Sequence, residues 1–143
     1  SISQALAITK SPLIWSHGYV SDSPGSWSSG GFRSRALDVK DAKKIADSGG
    51  AIGLWSLGAS FGGSIDAYAN EISKMVNMLG ADHVMFGSDQ DGLPQGAVIN
   101  QLSDLRKIVE ALSKRGIDEK VIRAVSFDNY ARCLRTAMLN MKV

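Results

Sequence analysis

The sequence has a single cysteine, Cys133, among its 143 residues. That excludes an internal disulfide, and equally a structural zinc site built on cysteine thiolates. No apolar run approaches the roughly 18 to 20 residues a transmembrane helix needs. An excess of one charge is missing too. Sixteen Lys+Arg against fourteen Asp+Glu leave a formal net charge of +2, and no basic run is longer than a pair. A nucleic-acid binder working by phosphate neutralisation is disfavoured, despite a pI near 8.8. No Gly-x-Gly-x-x-Gly follows an apolar run and no Gly-Lys-Ser/Thr is found, so dinucleotide binding and phosphoryl transfer have no motif behind them. What is present fits a globular domain: 44% apolar residues, 21% charged residues and a mean hydropathy of −0.03. The length suits one domain with a real core and is short for two. Cys133 sits in an apolar helical pattern and reads as a small buried hydrophobe.

Three short apolar runs, residues 13–15, 51–57 and 83–87, have the character of strands buried on both faces, as in a parallel sheet. Their starts lie a strand plus a crossover helix apart. The segments between them are helical in period. Ile2–Ile8 reads as a helix tail with nothing before it to cover it, which suggests a fragment. Asp38 is placed to cap a helix bearing Val39, Ala42, Ile45 and Ala46, stopped by Gly49-Gly50. Ile65, Tyr68, Ala69, Ile72, Val76 and Leu79 form a second stripe, closed by Gly80. Leu102, Leu105, Ile108, Val109 and Leu112 form a third, ended by Gly116. Asp118 caps a short helix to about Val125, and Asp128 a last one carrying Ala131, Leu134 and Met138. The expected class is α/β. Two loops, residues 21–31 and 58–64, are rich in serine and glycine. A long loop leaving the C-terminal end of a strand is where α/β proteins place sites.

The informative positions follow the strands. His17 comes after Leu13-Ile14-Trp15-Ser16, and Asp89 comes after the third run, inside Gly87-Ser88-Asp89-Gln90-Asp91-Gly92. Imidazole offers a lone pair to a borderline metal such as zinc, and a carboxylate can take a proton from water and return it. The plainer readings stay open: His17 as a hydrogen-bonded structural residue, Asp89 as a turn or cap residue. The same acidic segment is a poor calcium loop, since the terminal bidentate glutamate is missing. Arg35 could hold a substrate carboxylate with its fork of donors, or be a solvated arginine before a helix. His83 opens a strand, at the end opposite His17, and reads as structural.

Four segments, PLIWSHG (residues 12–18), RALDVKDAKKIADSGGAIGLW (35–55), LGADHVMFGSDQDG (79–92) and DNYARCL (128–134), resemble in content and order the membrane dipeptidase (renal dipeptidase-like) family of the amidohydrolase superfamily. The resemblance runs over nearly the whole chain. It implies a partial TIM (β/α)8 barrel, approximately strands six to eight with their helices, in a single segment 1–143 forming the C-terminal portion of the barrel. It implies a binuclear zinc dipeptidase that often tolerates a D-residue at the C-terminal position. On the matched residues, His17 is a metal ligand at the sixth strand, Arg35 holds the substrate's C-terminal carboxylate, and Asp89 exchanges a proton with the metal-bridging water and the departing amine. Asn129 and Arg132 match the family pattern in the last helix and read as structural.

This chain departs from the pattern at Arg35-Ala36, where many members have Arg-Asn, and at Gln90, where many have Phe. The family's other metal ligands are absent: the His-x-Asp of the first strand, the bridging glutamate and the earlier histidine. A whole barrel needs about 250 residues, so the isolated chain is expected to be inactive. The partners implied are a dipeptide substrate and, for the full-length parent, a second copy in a homodimer. Neither nucleic acid nor a membrane-spanning segment is expected, and any signal peptide or anchor would lie outside this segment. Two other function classes fit less of the sequence: a non-catalytic α/β binding or assembly module, and a barrel hydrolase acting on another amide or a lactone.

Overall fold

In the computed structural model, residues 1–21, 36–58, 62–93 and 96–141 are described. The elements run α1 (Ile2–Ile8), β1 (Ile14–Ser21), β2 (Ala36–Asp38), α2 (Val39–Asp47), β3 (Ala51–Trp55), α3 (Ile65–Leu79), β4 (Val84–Gly87), α4 (Leu102–Lys114), α5 (Glu119–Arg123) and α6 (Asn129–Asn140). A turn of 3-10 helix, Ala81–His83, leads into β4, and a π-helical segment, Ala124–Asp128, joins α5 to α6. All strand pairings are parallel, in the order β2-β1-β3-β4.

Strand–helix alternation with parallel pairing is the α/β arrangement expected. The sheet has four strands rather than three. β2 is only three residues long, too short to show a period, and its last residue, Asp38, already caps α2 by accepting from the Lys40 N–H at 2.7 Å. It pairs with the far end of β1, Tyr19 opposite Ala36 and Ser21 opposite Asp38. β1 therefore runs well past the three residues its sequence suggests.

Side chains on β3 and β4 divide by the strand period of two. Ile52, Leu54, Val84 and Phe86 join Tyr68, Ile72 and Met75 of α3 in the main core. The alternate residues Ala51 and Met85 meet Cys133 of α6 in a second small cluster. Both faces are thus covered, which explains the continuous apolar character of β3. Tyr68 is fully buried and donates its hydroxyl to the Leu54 carbonyl at 2.7 Å, and burial raises its phenol pKa above the ordinary range. At the end of α2, Gly49 has φ +82° and a Cβ on Gly50 would stand 2.3 Å from the Leu13 carbonyl oxygen, so no other residue fits there.

Three helical details differ from expectation. Leu102 is not part of the buried stripe of α4; it is 74% exposed at the first helical position, while Ile108, Ala111 and Leu112 are buried. Asp128 does not cap α6. The helix is continuous through the π-helical segment, so Asp128 has right-handed helical backbone, and its carboxylate accepts instead from Arg123 Nε at 2.9 Å. Leu134 and Met138 are exposed rather than packed, because α6 turns Asn129 and Cys133 inward.

Inward-facing polar groups of α6 brace the N-terminal ends of β3 and β4. The Asn129 amide donates to the Ala81 and Val84 carbonyls at 2.7 and 2.8 Å. Arg132 donates to the Gly49 carbonyl, and to that of Asp82 at 2.6 Å. His83 Nδ1 lies 2.9 Å from the Gly50 carbonyl at the same end. All three residues hold the fold together at the end opposite the candidate site, as the sequence suggested.

Candidate functional site at the strand C-terminal ends

β1 is interrupted where it meets β3. Trp15 pairs with Ile52 and Gly18 with Leu54, so Ser16 and His17 together stand opposite Gly53 alone. This β-bulge re-aims a side chain out of the regular alternation. His17 takes a left-handed backbone, with φ +59°. It therefore lies within β1 at a bulge, not after the strand as its sequence suggested. The strand resumes beyond it because Gly18–Ser21 find partners on both β3 and β2.

Asp89 lies two residues beyond the end of β4, with φ +50°. His17 and Asp89 are the only non-glycine residues with positive φ among the described residues. Each such conformation costs about 1 to 2 kcal/mol and persists only where surrounding structure enforces it, which is a recurring feature of sites.

The Asp89 carboxylate is held on one side and given room on the other. The indole Nε1–H of Trp55, the last residue of β3 and 3% exposed, donates to Oδ2 at 2.9 Å. On the other side lies Gly92, whose N–H donates to the Asp89 carbonyl at 3.1 Å and closes the turn. A Cβ on Gly92 would stand 2.1 Å from Asp89 Oδ1. Gly92 is not among the left-handed glycines, so the effect of a side chain here would be on space: its Cβ would push the Asp89 carboxylate aside.

Hydrogen bonds tie the segments leaving β3 and β4 to each other. Buried Ser56 donates its hydroxyl to the Ser88 carbonyl. Val98 N–H donates to Ser56 and Gly58 N–H to Gly96, each at 2.8 Å, around an antiparallel bridge between Leu57 and Ala97. The rim beside Asp89 is thereby fastened to the sheet.

His17 and Asp89 thus belong to one parallel sheet with β3 between their strands, His17 level with Gly53 in mid-strand and Asp89 just past the C-terminal end of β4. Arg35 lies outside the described residues; Ala36, which follows it, opens β2. Sequence reasoning passed over Trp55 and Gly92 as site residues. The available signal was a tryptophan ending a buried strand, whose N–H must find an acceptor. Gly58-Ala59-Ser60-Phe61-Gly62 also spells a nucleophile elbow after β3. That motif needs a sharp strand-to-helix turn, whereas β3 ends at Trp55 and α3 begins only at Ile65 behind its Ser64 cap. Residues 59–61, Ser60 included, lie outside the described residues.

A sequence model of the membrane dipeptidase family (peptidase family M19) matches residues 1–142. The chain belongs to the membrane dipeptidase family. A curated relative, the uncharacterized protein in the pqqA 5' region of Klebsiella pneumoniae, is 28% identical over 110 residues, covering 71% of this chain and 40% of that protein. Among solved structures, an amidohydrolase from Pseudomonas aeruginosa superposes with a TM-score of 0.73 at 24% identity, over 93% of this chain and 48% of its own. A metallo peptidase from Rhodobacter sphaeroides, liganded with a phosphinate mimic of the dipeptide L-Ala-D-Ala, gives 0.75 at 21% identity, over 94% and 39%. A structure described as dipeptidase AC, a metallo peptidase, gives 0.77 at 21% identity, over 94% and 40%. These likenesses show the fold, part of a (β/α)8 barrel. The chain spans less than half the length of each of these relatives.

Among the described residues the donor set is incomplete for a metal. No three of His, Cys, Asp and Glu stand together in a metal-holding group among the described residues. A zinc site takes three or four protein ligands, and His17 offers one imidazole. These residues can contribute to a metal centre but do not hold one by themselves. No helix among the described residues is long and apolar enough to cross a membrane.

Proposed function

We propose that the protein carrying this chain is a zinc-dependent dipeptidase, and that residues 1–143 form the C-terminal portion of its barrel. In this reading His17 is one metal ligand, and the remaining ligands of a two-zinc centre come from outside these residues. Arg35 binds the C-terminal carboxylate of the dipeptide through its planar fork of donors. Asp89 moves the proton, taking it from the attacking water and delivering it to the departing amine nitrogen. The observation that carries the reading is the shared left-handed backbone of His17, at a bulge in β1, and Asp89, just past β4, on one parallel sheet in a chain of this family.

The test is made on the full-length protein. Asp89→Asn is expected to lower dipeptide turnover by about 10²- to 10⁴-fold, the range for losing a general acid–base group, with metal content unchanged. Turnover at the parent rate with metal bound sinks the role given to Asp89. Comparing dipeptides with other amides and lactones fixes the substrate class, and a protein faster on lactones overturns the dipeptidase reading while leaving the fold assignment intact.

A further inference from the structure

We propose that Trp55 is a positioning residue for Asp89, and that Gly92 is glycine to leave room for the carboxylate so positioned. The inference rests on the reading of Asp89 as the proton carrier and deepens it by giving the two carboxylate oxygens different tasks.

An indole N–H is a donor only. Bonded to Oδ2 at 2.9 Å, it favours that oxygen as the acceptor in either protonation state of Asp89. The proton taken up during turnover therefore goes to Oδ1 and leaves from Oδ1. That oxygen lies against Gly92, where any Cβ would collide with it at 2.1 Å. Because Trp55 is buried at the end of β3, its ring has little freedom to release the carboxylate. The turn closed by the Gly92 N–H fixes the backbone of Asp89 at the same time. Carboxylate direction is thus set by a strand end and a glycine, neither of which touches substrate in this reading.

The experiment replaces Trp55 in the full-length protein with its benzothiophene isostere, in which sulfur stands where the N–H was. Ring shape is kept and only the donor is lost. Turnover is expected to fall about 10- to 100-fold, the scale of a misdirected catalytic group, with KM changed less than about twofold. Gly92→Ala, which leaves the indole in place, is expected to lower turnover in the same way by displacing Oδ1. An isostere enzyme with the parent turnover overturns the proposal. A fall confined to KM also overturns it, because that is the signature of a substrate contact. A second readout needs no activity: in the parent protein, Asp89→Ala is expected to move the Trp55 indole proton resonance, and an unmoved resonance overturns the clamp. A full-length protein that hydrolyses no dipeptide while the resonance does move would sink the dipeptidase reading and leave the clamp standing.

Discussion

Single side chains here do work that their type alone would not announce. Asp104 sits at the third position of α4, buried, and accepts from the N–H groups of Asn100 and Gln101 at 3.0 and 3.2 Å. Lys107 one turn on donates to its other oxygen at 2.8 Å. The Lys107 ammonium first, and the Asn100 N–H next, hold the carboxyl below the usual aspartate range. A pKa depressed in the folded state stabilises above the unfolded value, near 4, and that stability is lost as pH falls through the folded pKa. Asp104→Asn is therefore expected to flatten the fall in thermal midpoint below about pH 4 while lowering the midpoint at neutral pH. Parallel midpoint-against-pH curves for the two proteins would contradict it. At Cys133, burial raises the thiol pKa against the lowering effect of Arg132, which agrees with its place in the small cluster under β3 and β4 rather than with any chemistry.

Among elements, α6 decides how the strand ends are held. Both N–H groups of the Asn129 amide are spent on the Ala81 and Val84 carbonyls, and the side chain is 2% exposed. Asn129→Ala removes the donor to the buried Val84 carbonyl and to the half-buried Ala81 carbonyl, for an expected loss of about 1 to 3 kcal/mol, read as a lowered urea midpoint; a change under about 0.5 kcal/mol would mean water takes over both bonds. The helices were legible in the sequence because cap and period are local. Ser64, Asp38 and Asp118 each accept from a nearby helical N–H, as their residue types imply. Asp128 broke that logic because the π-helical segment carries the helix through it, and a π-helical turn has no sequence signature strong enough to read. β2 was hidden by its three-residue length. The bulge at His17 depends on the pairing of β1 with β3, and the bond from Trp55 to Asp89 links β3 to the loop after β4; sequence periodicity within one element cannot show either. His17 and Asp89 could be singled out as candidates from sequence because each sits in a short, specific motif, one inside β1 and the other just past β4, and Trp55 could not because its partner lies 34 residues away.

For the molecule as a whole, the sheet and its bracing helix point beyond themselves. Among the described residues, β2 and β4 each have one edge without a strand partner, an arrangement that invites pairing with another chain segment. On α6, Tyr130, Leu134 and Met138 recur every fourth residue and are all exposed, so one helical face is apolar and uncovered. The chain spans 39% to 48% of its structural relatives, and a two-metal centre needs more ligands than its described residues bring together. If the proposed function holds, the 143-residue chain alone is expected to hydrolyse no dipeptide and to bind zinc no better than a single histidine does. Supplying the remainder of the full-length protein as a separate chain is expected to restore zinc binding and hydrolysis together, and to cover Tyr130, Leu134 and Met138, read as loss of dye binding to exposed apolar surface. Restored activity with those residues still exposed would place the missing strands elsewhere. An isolated chain that is zinc-loaded and active would overturn the division of the metal site between this segment and the rest.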